Sequence, residues 1–118
     1  MSMDTDAIRR FLHTQAACWN AGDKAGFLSA YREAAPAGLS IEYVGQHASD
    51  GWPVLDAMWA RQNAAIAIEE VALIVNGNEA ACHNRNLVRG TERAIETIEL
   101  YRFDGEGRLL VRYFIDRS

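Results

Sequence analysis

No stretch of the chain approaches the roughly 18 consecutive apolar residues that a membrane span requires, so no membrane partner is expected. The first residues, Met1 to Asp6, are acidic and polar. They lack the basic start and apolar stretch of a secretion signal, and a cytoplasmic location is expected. Cysteine is scarce: Cys18 and Cys82 stand far apart and form no CxxC pair. Two such residues, with no secretion signal, read as reduced, buried small hydrophobes. Three histidines occur without HxxxH or HExxH spacing, so spacing points to no metal site, and no cofactor is expected. A basic excess is also missing, with 12 Lys and Arg against 16 Asp and Glu and a net charge of −4. Phosphate backbones need a basic surface, which argues against a nucleic-acid partner. Internal repeats, low-complexity tracts and linkers are absent as well.

What remains is the composition of one folded domain, expected over residues 1–118. The hydrophobic fraction is 49%, but 19 of those residues are Ala, so the larger side chains fill one modest core. Charged residues make up 24% and aromatics 9%, which excludes a disordered chain.

The first half reads as helices. Asp4 or Thr5 caps a start, and Ile8, Phe11, Leu12, Cys18 and Trp19 recur at helical spacing up to Asn20-Ala21-Gly22. Asp23 caps a second helix with Phe27, Leu28 and Tyr31 on one face, and Ala34 to Gly38 is a loop. Leu39 to Gly45 alternates as a short strand, with Leu39, Ile41 and Tyr43 on one face. Asp50-Gly51-Trp52-Pro53 opens a third helix carrying Leu55, Met58, Trp59 and Gln62 on one stripe.

The second half reads as four long strands: Ile66 to Val75, Glu79 to Arg89, Glu92 to Phe103 and Arg108 to Asp116. Asn76-Gly77, Gly90-Thr91 and Asp104 to Gly107 are the turns between them. Helices followed by antiparallel strands define the α+β class.

Several polar residues do not fit a plain core. Gln15 shares the apolar stripe of the first helix and is either a pocket amide or a satisfied core residue. A turn centred on Gly105-Glu106 sets Glu99 opposite Arg112, Thr97 opposite Phe114 and Tyr101 opposite Leu110. Glu99 and Arg112 then form either an acid–base pair in a pocket or an ordinary cross-strand ion pair. A turn on Asn76-Gly77 sets Glu70 opposite His83 and Ile68 opposite Arg85. His83 and Arg85 point one way, and Asn84 and Asn86 the other. A strand this polar lines either a cavity or a solvated sheet face. The register between the two hairpins stays open, because one residue of slip flips a whole strand.

The segment Trp19-Asn20-Ala21-Gly22-Asp23 and the run Arg102-Phe103-Asp104-Gly105-Glu106-Gly107-Arg108-Leu109, in this order of elements, resemble the nuclear transport factor 2-like superfamily. That group includes ketosteroid isomerase and the SnoaL-type cyclases. Leu39 to Gly45 followed by Gly51-Trp52 looks more like its SgcJ-type branch. The resemblance spans nearly the whole chain. It implies a cone, a curved and largely antiparallel mixed sheet wrapped round three helices, with a homodimer formed through the sheet. It names no activity, because one fold serves enzymes and binding modules alike.

Isomerases of this group place an oxyanion-donating Tyr where this chain has Gln15, and a basic Asp where it has Tyr43. A second donor, a protonated Asp, falls on Glu99, although an opposing Arg112 would favour the carboxylate. The Asp-Arg-Asp set of the epoxide-hydrolase branch lacks its last carboxylate, since Arg112-Tyr113-Phe114 stands there. The resulting expectation is a SnoaL-like pocket protein, an isomerase, lyase or hydrolase working by general acid–base chemistry. His83 and Glu99 would be catalytic. Gln15, Trp19, Tyr43, Trp59, Arg85 and Arg112 would bind a small hydrophobic or carbonyl-bearing molecule. The alternative is a non-catalytic ligand-binding or dimeric association module using the same surfaces.

Overall fold

A computed structural model describes residues 3–116. The single-domain expectation over 1–118 also takes in Met1, Ser2, Arg117 and Ser118, which lie outside the described residues.

Three helices come first. Helix α1 (Thr5–Ala21) starts at Asp4, whose carboxylate accepts the Ala7 amide at 2.8 Å, a cap of about 1 kcal/mol. It stops at Gly22, which takes the left-handed conformation (φ 70°) that a side chain resists. Helix α2 (Lys24–Ala34) begins at once, because Asp23 accepts the Gly26 amide. Helix α3 (Gly51–Gln62) is capped by Asp50.

The strands are β1 (Gly38–Tyr43), β2 (Ser49–Asp50), β3 (Ile66–Asn76), β4 (Glu79–Val88), β5 (Ala94–Phe103) and β6 (Arg108–Ile115). They form one sheet in the order β2-β1-β6-β5-β4-β3. The last four make an antiparallel meander, while β1 joins β6 in parallel, so the sheet is mixed. It is curved and not closed, and a bulge between Glu70 and Ala72 adds to the bend of β3. The two-residue strand β2 was not foreseen from the sequence.

The Trp19-Asn20-Ala21-Gly22-Asp23 segment ties the helices to the sheet. Asn20 acts as a substitute strand partner: its amide nitrogen donates to Ile68 O at 2.8 Å, and its oxygen accepts from Ile68 N at 2.7 Å. Trp19 Nε1 donates to Ile66 O at 3.0 Å, and Asn63 Nδ2 donates to Trp19 O at 2.8 Å. Trp19 then packs edge to face on Phe27 and Trp59, which are tilted against each other, with centroids 5.2–5.6 Å apart. The core proper lies between α1, α2 and the inner faces of β1, β5 and β6, around Phe11, Tyr31, Ile41, Tyr101 and Val111.

Both hairpin registers differ from expectation. The last turn has three loop residues, Gly105, Glu106 and Gly107, closed by a bond from Asp104 N to Arg108 O at 3.1 Å. Gly105 and Gly107 both have positive φ, and Asp104 holds the loop by accepting from the Glu106 and Arg108 amides. The extra loop residue slides β6 by one place. Glu99 therefore faces Tyr113, Tyr101 faces Val111 and Thr97 faces Ile115. In the β3–β4 hairpin the two turn residues are Gly77-Asn78, because the strong positive-φ position falls on Gly77. His83 accordingly lies opposite Ala72, and Arg85 opposite Glu69.

Candidate functional site

The hollow of the curved sheet, closed by α1, α2 and the end of α3, holds a cavity of about 350 Å³. Its volume lies in the range of small-molecule sites. Trp19, Phe27, Met58, Ile66, Ile68, Ile95 and Ile115 give it apolar walls. Among its polar groups, Asn86 on β4 and Thr97 and Glu99 on β5 belong to one hydrogen-bonded network.

Glu99 is the centre of that polar set. It sits on the inner face of β5 and is only 8% exposed. Its Oε2 accepts from Thr97 Oγ1 at 3.1 Å and from Asn84 Nδ2 at 3.3 Å. Its Oε1 accepts from the Tyr101 hydroxyl at 2.7 Å. The network continues to the cavity mouth, where Asn86 Nδ2 donates to Thr97 Oγ1 at 3.0 Å and to Ile95 O at 2.9 Å. Burial pushes the Glu99 carboxyl above its ordinary value, and the three donors only partly offset this. The phenols of Tyr31, Tyr101 and Tyr113 are raised mainly by burial and further by the nearby Glu99 charge. The Cys82 thiol, opposite Glu99 on β4, is pushed up to about 12 by burial and the same charge, which leaves it inert.

The expected site residues separate into two groups. Gln15, Trp19, Tyr43 and Glu99 all line the cavity. Gln15 is buried, with its amide donating to Leu12 O at 3.2 Å. Tyr43 stacks on Tyr113 with centroids 5.4 Å apart. Trp59 is one layer back, behind Trp19 and Phe27.

His83, Arg85 and Arg112 are elsewhere. Strand alternation puts Asn84 and Asn86 inward, so His83 and Arg85 occupy the outer face. There His83 Nε2 meets Glu96 Oε1 at 2.6 Å, and Arg85 Nε donates to Glu96 Oε2 at 2.9 Å. The expected convergence of His83 with Glu99 does not occur. Arg112 is likewise turned outward by the slipped register. It pairs with Glu42 at 3.2 and 3.3 Å and lies 5.2 Å from the Phe114 ring centroid. The supposed Glu99–Arg112 pair is absent, and with it the cation that would have held Glu99 ionised.

Sequence reasoning missed Thr97 and Asn84 as partners of Glu99, Asn86 as the partner of Thr97, and Arg61 and Gln62 at the mouth. The inward pair Asn84 and Asn86 had a legible signal, since two amides two apart on a strand share a face. Arg61 had none beyond its place three residues after Met58. Among the described residues no group of three metal-ligating side chains comes together, and no helix is long and apolar enough to cross a membrane.

No protein-family profile matches the sequence. No curated protein matches it either. Solved structures do. A de novo designed protein with a curved β-sheet shares 14% identity at a TM-score of 0.76, covering 98% of this chain and 89% of that one. A Kribbella flavida protein, provisionally described as a ketosteroid isomerase, shares 12% identity at 0.76, covering 98% and 82%. A SnoaL-like protein of unknown function from Burkholderia thailandensis shares 16% identity at 0.71, covering 98% and 99%. At this identity the likeness is one of fold, and the chain has the nuclear transport factor 2-like, cystatin-like α+β fold. That a designed protein shares the backbone shows how little the fold alone says about chemistry.

Proposed function

We propose that this chain acts as a single pocket domain that binds a small, largely apolar molecule. A carbonyl or hydroxyl oxygen of that molecule would accept a hydrogen bond from a protonated Glu99. The observation that carries the reading is the position of Glu99: a buried carboxyl, raised by desolvation, bordering an otherwise apolar cavity. An acid kept neutral in this way is a hydrogen-bond donor, which a carboxylate is not. Glu99 is the sole carboxyl among the described residues lining the cavity, and no histidine among them lines it. The site therefore supports polarisation of a bound oxygen or delivery of one proton, rather than an acid and base working as a pair.

The test uses 4-phenyl-2-butanone and butylbenzene, which differ by the oxygen, followed by NMR shifts of the cavity isoleucine methyls. The ketone should bind more tightly, and its advantage should fade as pH rises through the Glu99 titration. In Glu99→Gln, whose amide also donates, the advantage should persist at every pH. Equal binding of the two probes, or a ketone preference that ignores pH in the wild type, refutes the reading.

The outer sheet face supports a homodimer as a second part of the proposal. Ile74 is 69% exposed there, and Ile98 lies across from Phe114 in register, both partly uncovered. A soluble monomer seldom leaves such a contiguous apolar sheet surface bare. The flanking His83, Arg85, Glu96, Arg112 and Glu42 side chains are already paired within the protomer, so covering them strands no charge.

A further inference from the structure

We infer that the molecule taken by the cavity is an anionic amphiphile, with a carboxylate seated on Arg61 at the mouth and a carbonyl or hydroxyl oxygen directed at Glu99. This rests on the reading of Glu99 above and adds the ligand class. Arg61 belongs to the last turn of α3 and lines the cavity, yet its side chain is exposed, so it stands where cavity meets solvent. The carbonyl end of a helix favours a cation at that place.

Among the described residues Arg61 is the one arginine lining the cavity, and no carboxylate engages it. Arg85 is held by Glu96 and Glu69, Arg108 by Asp104 and Glu106, and Arg112 by Glu42. Among the described residues Arg61 has no ion-pair or hydrogen-bond partner, so its five donors are free for a ligand. A guanidinium presents these donors as a planar fork that fits a carboxylate in two parallel bonds. Arg61 is the one cation among the described residues lining the cavity, and its charge is available at the mouth to an incoming anion.

Tyr43, Arg61 and Glu99 all border the same cavity. The Tyr43 phenol is raised by burial and by the charge of Glu99, and lowered by the charge of Arg61. An acid inside, a cation at the mouth and an apolar wall between them select a molecule of matching polarity. With room for about a dozen water-sized groups, the body is of the order of one aromatic ring and a short chain.

The experiment compares 5-oxo-5-phenylpentanoate with its primary amide, which has the same shape and no charge. Binding is followed by NMR titration in low and high salt. The wild type should favour the carboxylate by about fivefold in low salt, the scale of an ion pair open to solvent, and the gap should narrow as salt rises. Arg61→Gln should abolish the gap by weakening the carboxylate more than the amide, with an unchanged methyl spectrum of the free protein verifying the fold, and Arg61→Lys should retain part of the gap. Equal binding of the two probes by the wild type, or a gap that survives in Arg61→Gln, overturns the anionic class. In that case the Glu99 reading stands or falls separately on the ketone and butylbenzene pair. If neither the two phenylpentanoate probes nor the ketone binds, the inference and the reading beneath it both fail.

Discussion

Replacing Glu99 by glutamine should change the pH dependence of stability more than the stability itself. The native protein holds this carboxyl at 8% exposure, and burial raises it above the ordinary value of 4.5. The unfolded chain releases the proton at that ordinary value, whereas the native chain keeps it to higher pH. In the window between the two, the native state binds more protons than the unfolded state. Stability is therefore fully present below that ordinary value and falls as pH rises through the native titration. The slope for one such group reaches at most about 1.4 kcal/mol per pH unit.

The amide that replaces the carboxyl in Glu99→Gln cannot titrate. Two donors, from Thr97 and Asn84, reach the Oε2 position, so the amide oxygen belongs there. The amide nitrogen then faces Tyr101, whose hydroxyl turns to accept. One re-oriented hydrogen bond costs about 1 kcal/mol or less. Urea unfolding of both proteins from pH 4 to pH 8 gives the comparison, in which titrations elsewhere cancel. At pH 4 the variant should equal the wild type or be slightly weaker, and its relative stability should improve as pH rises. Parallel curves across the whole range would falsify the claim that Glu99 is held protonated. Glu99→Ala is the harsher control, leaving three donors without an acceptor at about 1–3 kcal/mol for each one that stays dry.

Three further outcomes follow from other parts of the fold. Asp104 is held down to about 2, chiefly by its bond to Arg108 and then by the Glu106 amide. Its contribution to stability is present above its ordinary value of 3.8 and disappears as pH falls toward about 2. Asp104→Asn should accordingly lower the melting temperature at neutral pH, with the difference from wild type vanishing in acid; an equal deficit at every pH would count against the turn argument. A methyl group on Gly51 would run into the Leu39 side chain, where the start of α3 presses on β1. Gly51→Ala should thus lose about 1–3 kcal/mol in chemical denaturation, and an unchanged midpoint would show that α3 can shift at little cost. Ile98→Arg on the outer face should convert a dimer to a monomer in analytical ultracentrifugation, while changing the pocket methyl spectrum little. A wild type that sediments as a monomer at tens of micromolar would remove the dimer proposal.

Much of the fold is legible in the chain because it is set by neighbours in sequence. Asp4, Asp23 and Asp50 announce three helix starts, Gly22 announces a stop, and alternating strands follow. These are short-range events, in which a side chain satisfies a backbone amide two or three residues away. The inward placement of Gln15, Trp19 and Tyr43 was legible for a related reason, since each lies on an apolar stripe of its own element, whereas Glu99 was singled out by the resemblance.

Pairing between elements is another matter. One additional loop residue, Gly107, slides β6 by one place and turns Arg112 from the cavity to the outer face, while Tyr113 turns in. Gly77-Asn78 in place of Asn76-Gly77, with the bulge beyond it, gives His83 and Arg85 new neighbours on β3. A strand has a period of two, so a local choice of loop length, nearly invisible in composition, decides the chemistry of a whole face. Read along its length, the chain already specifies a cone with Glu99 inside it. The partners of Glu99, amides and hydroxyls instead of a cation, depend on which strand faces meet, and that is settled only when the sheet assembles. The same assembly places Arg61 at the mouth.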